Sequence, residues 1–128
     1  CPEGWEEYAM NCYRFFTDKK DWNSAKSFCD SMDAHLVAIE SEEENNWIFD
    51  RINYKDEGDD WWTDGSDEGS EDKWYWHHSN SRMIYADWNL SPREPNGKQS
   101  ENCLLLQLRL NSWVDAPCSY ELKFICEK

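Results

Sequence analysis

Glu94-Pro95-Asn96, with Glu101 and Asp115 downstream, gathers four oxygen-bearing side chains within 22 residues. Hard oxygen donors at this density suit a calcium ion, which takes six to eight oxygen ligands at about 2.3–2.6 Å. Pro95 adds a geometric device. An X-Pro bond is the one peptide bond that adopts the cis form at low cost, and a cis Glu94–Pro95 bond would turn both flanking side chains toward one point. Cys103 and Cys118 then clamp the segment that follows. The expectation is a calcium-dependent binding loop, and the rest of the chain must supply the frame that positions it.

Other chemistry-bearing patterns are weaker. Asp60, Asp64, Gly65 and Glu71 fall at positions 1, 5, 6 and 12 of an EF-hand loop, but position 3 is Trp62, which donates no oxygen, and the flanks read as strands. His77-His78 and His35 lack a His-x-x-His spacing or a nearby cysteine and are expected to be surface or strand histidines. No Gly-rich phosphate loop or Gly-x-Ser-x-Gly setting occurs. Paired carboxylates are numerous enough for glycosidase chemistry by count alone. A carboxylate held by calcium is nevertheless a poor proton carrier, so the expectation is a binding protein with no catalytic residues.

A chain of 128 residues is expected to form a single domain over residues 1–128 with a modest core. Thirteen Lys and Arg against 27 Asp and Glu give a net charge of -14, which should repel phosphate backbones and argues against nucleic acid as a partner. The same acidity also suits a soluble protein with a solvated face. No run approaches the roughly 18 apolar residues of a membrane span, and a sequence opening on Cys1 reads as a mature, secreted product. Six cysteines without a C-x-x-C pair point to disulfides in an extracellular domain, with 15 pairings open. Nine Trp, six Tyr and five Phe are mostly core, with some available as flat platforms for sugars.

The frame follows from local pattern. Residues 1–16 read as a hairpin turning at Ala9-Met10-Asn11, whose arms Cys1 and Cys12 could bridge. Asp21 is a plausible N-cap for a helix with Trp22, Ala25, Cys29 and Met32 on its inner face, where a long-range disulfide from Cys29 would staple it to the core. His35–Ile39 reads as a strand. Ser41 and Glu44 form a capping box for a second helix, with Trp47, Ile48 and Ile52 inside, and Glu42, Glu43 and Glu44 on the helix dipole. Residues 54–72 read as a polar, Gly- and Asp-rich stretch around Trp61-Trp62. Trp74 and Trp76 alternate as in a strand, and residues 77–100 carry little regular pattern. Residues 103–108, 112–115 and 123–126 read as closing strands.

In this order the residues resemble the C-type lectin-like domain family over essentially the whole chain, and secreted invertebrate members in particular. The motifs are Cys1-Pro2-Glu3-Gly4-Trp5, as in the long form; Trp22 to Cys29; Trp62 with Gly65-Ser66-Asp67, a degraded Trp-Ile-Gly-Leu; Trp74-x-Trp76; Trp88; Glu94-Pro95-Asn96; Glu101-Asn102-Cys103; Trp113-Val114-Asp115; Cys118; and Phe124-Ile125-Cys126. The resemblance implies an α+β fold: two helices flank antiparallel sheets, with a long calcium- and sugar-binding loop and three disulfides. It selects Cys1–Cys12, Cys29–Cys126 and Cys103–Cys118. In the chain-entropy view the long Cys29–Cys126 loop would contribute on the order of 4–5 kcal/mol.

By the same resemblance, Glu94, Asn96, Glu101 and Asp115 form a principal calcium site that also binds the sugar, whose vicinal hydroxyls complete the ion's coordination. Glu only accepts hydrogen bonds, whereas Asn accepts and donates. The Glu-Pro-Asn order implies mannose, glucose or N-acetylglucosamine, with equatorial 3- and 4-hydroxyls. Asp67 and Glu71, sharing Glu101, map to an auxiliary calcium site made incomplete by Gly97. Val114 stands where the family has Asn, a ligand and a donor to the sugar, so weak or altered sugar binding is expected. Asn89-Leu90-Ser91 is a glycosylation sequon weakened by Pro92.

The function these features imply is calcium-dependent recognition of glycans, including microbial glycans in innate defence. Useful avidity would come from oligomers, which must be non-covalent if all six cysteines pair internally. The alternative is an acidic structural protein of the same fold that binds calcium mineral or a protein partner and has little sugar affinity.

Overall fold

The computed structural model describes residues 1–55, 58–68, 73–89 and 102–128. The chain opens with a hairpin of β1 (Glu6–Tyr8) and β2 (Asn11–Lys20), whose register pairs Tyr8 with Asn11. The two-residue turn Ala9-Met10 has φ of 49° and 71°. Such left-handed values at both positions match the strand twist of a tight hairpin, although neither residue is the usual Gly or Asn. The Cys1–Cys12 disulfide ties its arms.

Helix α1 (Trp22–Asp30) starts where Asp21 Oδ1 accepts the Ser24 N–H at 2.8 Å, and it buries Trp22, Ala25 and Cys29. Met32 falls just beyond its end. The expected strand after it is shorter than the apolar run: β3 is His35–Leu36. Val37 to Ile39 stay fully buried without joining the ladder, Val37 bridging Ile125 and Asp64 through backbone bonds. Helix α2 (Glu42–Lys55) begins after Ser41, whose Oγ accepts the Glu44 N–H at 3.1 Å. The return bond of the capping box reaches one residue further back than the motif predicts, from the Glu40 N–H to Glu44 Oε1 at 2.8 Å.

Residues 60–66, expected as part of a polar stretch, instead form β4 (Asp60–Ser66), a buried strand. Composition misled because Thr63, Asp64 and Ser66 satisfy polar groups inside the fold; the Thr63 hydroxyl donates to the Leu104 carbonyl at 3.0 Å. Gly65 is required there, since a Cβ would lie 2.7 Å from Met83 Cε and 2.8 Å from Leu104 Cβ. Short strands β5 (Tyr75–Trp76) and β6 (Ser81–Arg82) follow, then β7 (Cys103–Gln107), β8 (Ser112–Ala116) and β9 (Leu122–Glu127). The sheet runs β1-β2-β9-β4-β5-β6, with β3 on β9 and the β7–β8 hairpin on β4. The β4–β9 pair is parallel, the others antiparallel.

Two apolar groups result. One packs α2 residues Ile48, Phe49 and Ile52 with Trp61, Trp76, Leu104, Leu106 and Trp113; the other joins α1 to Trp62, Leu105, Phe124 and the Cys29–Cys126 disulfide. The third disulfide is Cys103–Cys118, so the pairing implied by the resemblance is the one present. Among the described residues, no helix is long and apolar enough to cross a membrane.

Glu127 closes β9 inside this core, its Oε1 accepting the Ala38 N–H at 3.0 Å. Burial pushes its carboxyl up to about 8 from the ordinary 4.5. Between those values the folded chain keeps a proton that the unfolded chain has released, so this contribution is full below about pH 4.5 and is lost as pH rises through 8. Glu127→Gln keeps the acceptor without the charge. It should be more stable than the parent at pH 8.5 by an amount on the order of a few kcal/mol, with the difference vanishing near pH 4.5 in urea unfolding. A pH-independent difference would contradict this account.

Candidate functional site

Of the residues expected to hold the principal calcium ion, Asp115 is described. Glu94, Asn96 and Glu101 lie outside the described residues, as does Glu71 of the expected auxiliary site. Asp115 sits in β8 opposite Leu104 and is 2 % exposed. Side chains alternate along a strand, so Asp115 shares the face of Trp113. Val114 points the other way and packs, partly buried, against the group that contains Cys103 and Leu105. An apolar residue is therefore accommodated at 114 by packing.

Strand β8 is fixed from several directions. The Trp113 N–H donates to the Asp87 carbonyl at 2.9 Å, and the Asn89 N–H donates to the Trp113 carbonyl at 3.0 Å. Ser112 Oγ donates to Asn89 Oδ1 at 3.2 Å. Inside, Trp113 Nε1 donates to Asn45 Oδ1 at 2.9 Å, while Asn45 Nδ2 donates to Asp87 Oδ2 at 3.0 Å. Burial raises the Asp87 carboxyl pKa, and the Asn45 bond opposes that rise. Trp76, Tyr85 and Trp88 meet the Trp113 ring edge-on.

These contacts locate both flanks of the segment that carries Glu94, Asn96 and Glu101. Asn89, before it, is bonded to residues 112 and 113 of β8. Asn102, after it, accepts the Asp67 N–H at 3.1 Å and leads into Cys103, which faces Ala116 and is bonded to Cys118. Asp115 thus lies between the two points where the flanking chain is tied down. Asp67, 2 % exposed, is brought beside Asn102 at the end of β4.

Two groups of residues had no sequence signal. Asn45 and Asp87 look like ordinary surface residues in the sequence, yet Asn45 is 2 % exposed and anchors Trp113. His35, Asp64 and His78 converge although they are far apart in the chain.

The family model for the Lectin C-type domain matches residues 18–128. The chain belongs to the C-type lectin domain family. A perlucin-like protein of Mytilus galloprovincialis is 33% identical, covering 98% of this chain and 81% of that protein. Other curated relatives are longer: the chain spans 58% of one and 37% of another. Among solved structures, the cow CD23 C-type carbohydrate-recognition domain, crystallised in the presence of a GlcNAc2Man3 oligosaccharide, superposes with a TM-score of 0.88 at 31% identity, covering 100% of this chain and 95% of that one. A calcium-independent type II antifreeze protein superposes equally well, with a TM-score of 0.88 at 27% identity and coverage of 100% and 93%. The lectin frame therefore does not by itself fix calcium use.

Asn45→Ala should strand the buried Trp113 N–H and remove the Asp87 partner, costing about 1–3 kcal/mol in denaturant unfolding. An unchanged unfolding midpoint would show that Asn45 does not hold β8.

Proposed function

We propose that this C-type lectin domain is a calcium-dependent lectin for glycans ending in sugars with equatorial 3- and 4-hydroxyls, namely mannose, glucose or N-acetylglucosamine. Glu94, Asn96, Glu101 and Asp115 hold the ion and contact the sugar, and Asp67 and Glu71 serve an auxiliary calcium. The single observation that supports this most is Asp115: a buried carboxylate on a clamped strand, between the tied flanks of the Glu-Pro-Asn segment. The donor set of carboxylates and an amide consists of hard oxygens, which fits calcium. Calcium, when bound, supplies coordination sites for two vicinal hydroxyls; the carboxylates accept from those hydroxyls and Asn96 donates to them.

Members of the family generally bind carbohydrate without enzymatic activity, and the reading here is the same: binding, no catalysis. Three disulfides favour an oxidising, extracellular setting. Residues 1–128 act as one domain, and self-association through them is non-covalent because no described cysteine is free. Recognition of microbial glycans in innate defence is a role consistent with such a site.

A second reading has specific support. Val114 withdraws one ligand and one sugar donor, a net charge of -14 suits mineral or cationic protein surfaces, and the antifreeze neighbour carries the same frame without calcium. In that reading the domain is an acidic structural protein with little sugar affinity.

Mannose- and N-acetylglucosamine-agarose separate the two. Retention in calcium and release by EDTA is the lectin outcome; no retention, with adsorption to calcite, is the structural one. In calorimetry, mannose should bind weakly. Val114→Asn should strengthen binding by the worth of one hydrogen bond, roughly 0.5–1.5 kcal/mol. Tight binding by the parent with no gain in the variant would refute the role given to Val114.

A further inference from the structure

The sequence gives its three histidines no spacing that suggests a metal, yet the fold assembles two of them with a buried aspartate. His35 lies in β3, Asp64 in the centre of β4, and His78 in the turn between β5 and β6. One ring nitrogen from each histidine and one carboxylate oxygen of Asp64 fall within 4.8 Å of one another. Asp64 is 1 % exposed, and its Oδ2 faces both the backbone N–H and the Nδ1 of His78, each at 2.7 Å. The rings of His35 and His78 lie face to face, centroids 3.6 Å apart and planes within 4°. His35 Nδ1 is 2.6 Å from the Leu36 carbonyl, which can only accept, so Nδ1 carries the proton and Nε2 keeps its lone pair. The three residues line a cavity of about 390 Å³ together with Lys26, Asp30, Asp33 and His77. Lys26 is paired with Asp30 at 4.0 Å.

We propose that His35, Asp64 and His78 form a further metal site, separate from the calcium sites proposed above, that takes a zinc-class divalent cation. Two imidazoles and one carboxylate are borderline ligands that suit Zn²⁺, Ni²⁺ or Cu²⁺ and leave positions for water, whereas calcium prefers oxygens alone. The ion takes the place of the proton shared by His78 Nδ1 and Asp64. Metal–nitrogen and metal–oxygen bonds of about 2.0–2.2 Å require the three donors to draw closer than their present spread. The half-exposed His78 side chain can make that movement from its turn, opening the ring stack. The backbone N–H of His78 on Asp64 orients the carboxylate, as outer-shell bonds do in metal sites.

The test is a Zn²⁺ titration of the intact domain by calorimetry at pH 7.5, with calcium in excess so that oxygen sites are filled. Saturable binding of one Zn²⁺ is expected. His35→Ala and His78→Ala each remove a ligand and should weaken it at least as much as loss of an outer-shell partner does, roughly ten- to a hundredfold. His77→Ala, which lines the same cavity but lies outside the three-residue cluster, should leave it unchanged. Imidazole nitrogen NMR of the unmutated protein provides a reading that does not depend on a variant folding: Zn²⁺ should shift ring nitrogens of His35 and His78 and spare His77. The proposal is overturned by absence of saturable binding, by equal binding in the His35 and His78 variants, or by loss on His77→Ala. None of these results bears on the sugar-binding reading, which the calcium and EDTA experiment decides.

Discussion

The buried hydrogen bond from Trp113 to Asn45 is the constraint on which the binding end of the molecule rests. It joins β8 to helix α2, and through Asn45 to Asp87, so three distant parts of the chain are fixed relative to one another. An indole N–H inside the core must find an acceptor or incur its desolvation cost, on the order of 1–3 kcal/mol. With Trp113 fixed, Asp115 two positions on is fixed too, and so is the flank at Asn89, while Asn102 is tied separately through Asp67 and the Cys103–Cys118 bridge. A site made of side chains from a loop can be precise only if the points where the loop leaves the scaffold do not move.

Much of the frame was legible because it follows from local chemistry. Asp21 and Ser41 announce their helices through side-chain oxygens that can cap, and the spacing of Trp22, Ala25 and Cys29 defines an inner face. The closing strands are apolar runs that have no other place to go. Strand β4 was not legible, because Thr63-Asp64-Gly65-Ser66 has the composition of a turn. Its polar groups are satisfied by partners distant in sequence, including Leu104 and His78, and no local rule encodes those partners. The His35–Asp64–His78 cluster was hidden for the same reason: its members come from two strands and a turn.

The candidate sugar site is read from residue types and order, through the resemblance rather than through periodicity, and Glu94, Asn96 and Glu101 lie outside the described residues. The Val114 departure was visible in the sequence, but its accommodation was not. Alternation along β8 sends that side chain toward the apolar group around Cys103 and Leu105, so a valine there is stabilised by packing even as a polar donor is withdrawn. Two carboxylates, Asp67 and Asp115, are buried at the same end of the fold. Burial of acids in a chain already carrying a charge of -14 is costly unless donors or cations compensate them.

The most direct test of the central claim is a glycan array probed with the domain in calcium and again in EDTA. The account predicts binding to glycans with terminal mannose, glucose or N-acetylglucosamine that disappears when calcium is removed. Binding that persists in EDTA, or no glycan binding in either condition, would contradict it.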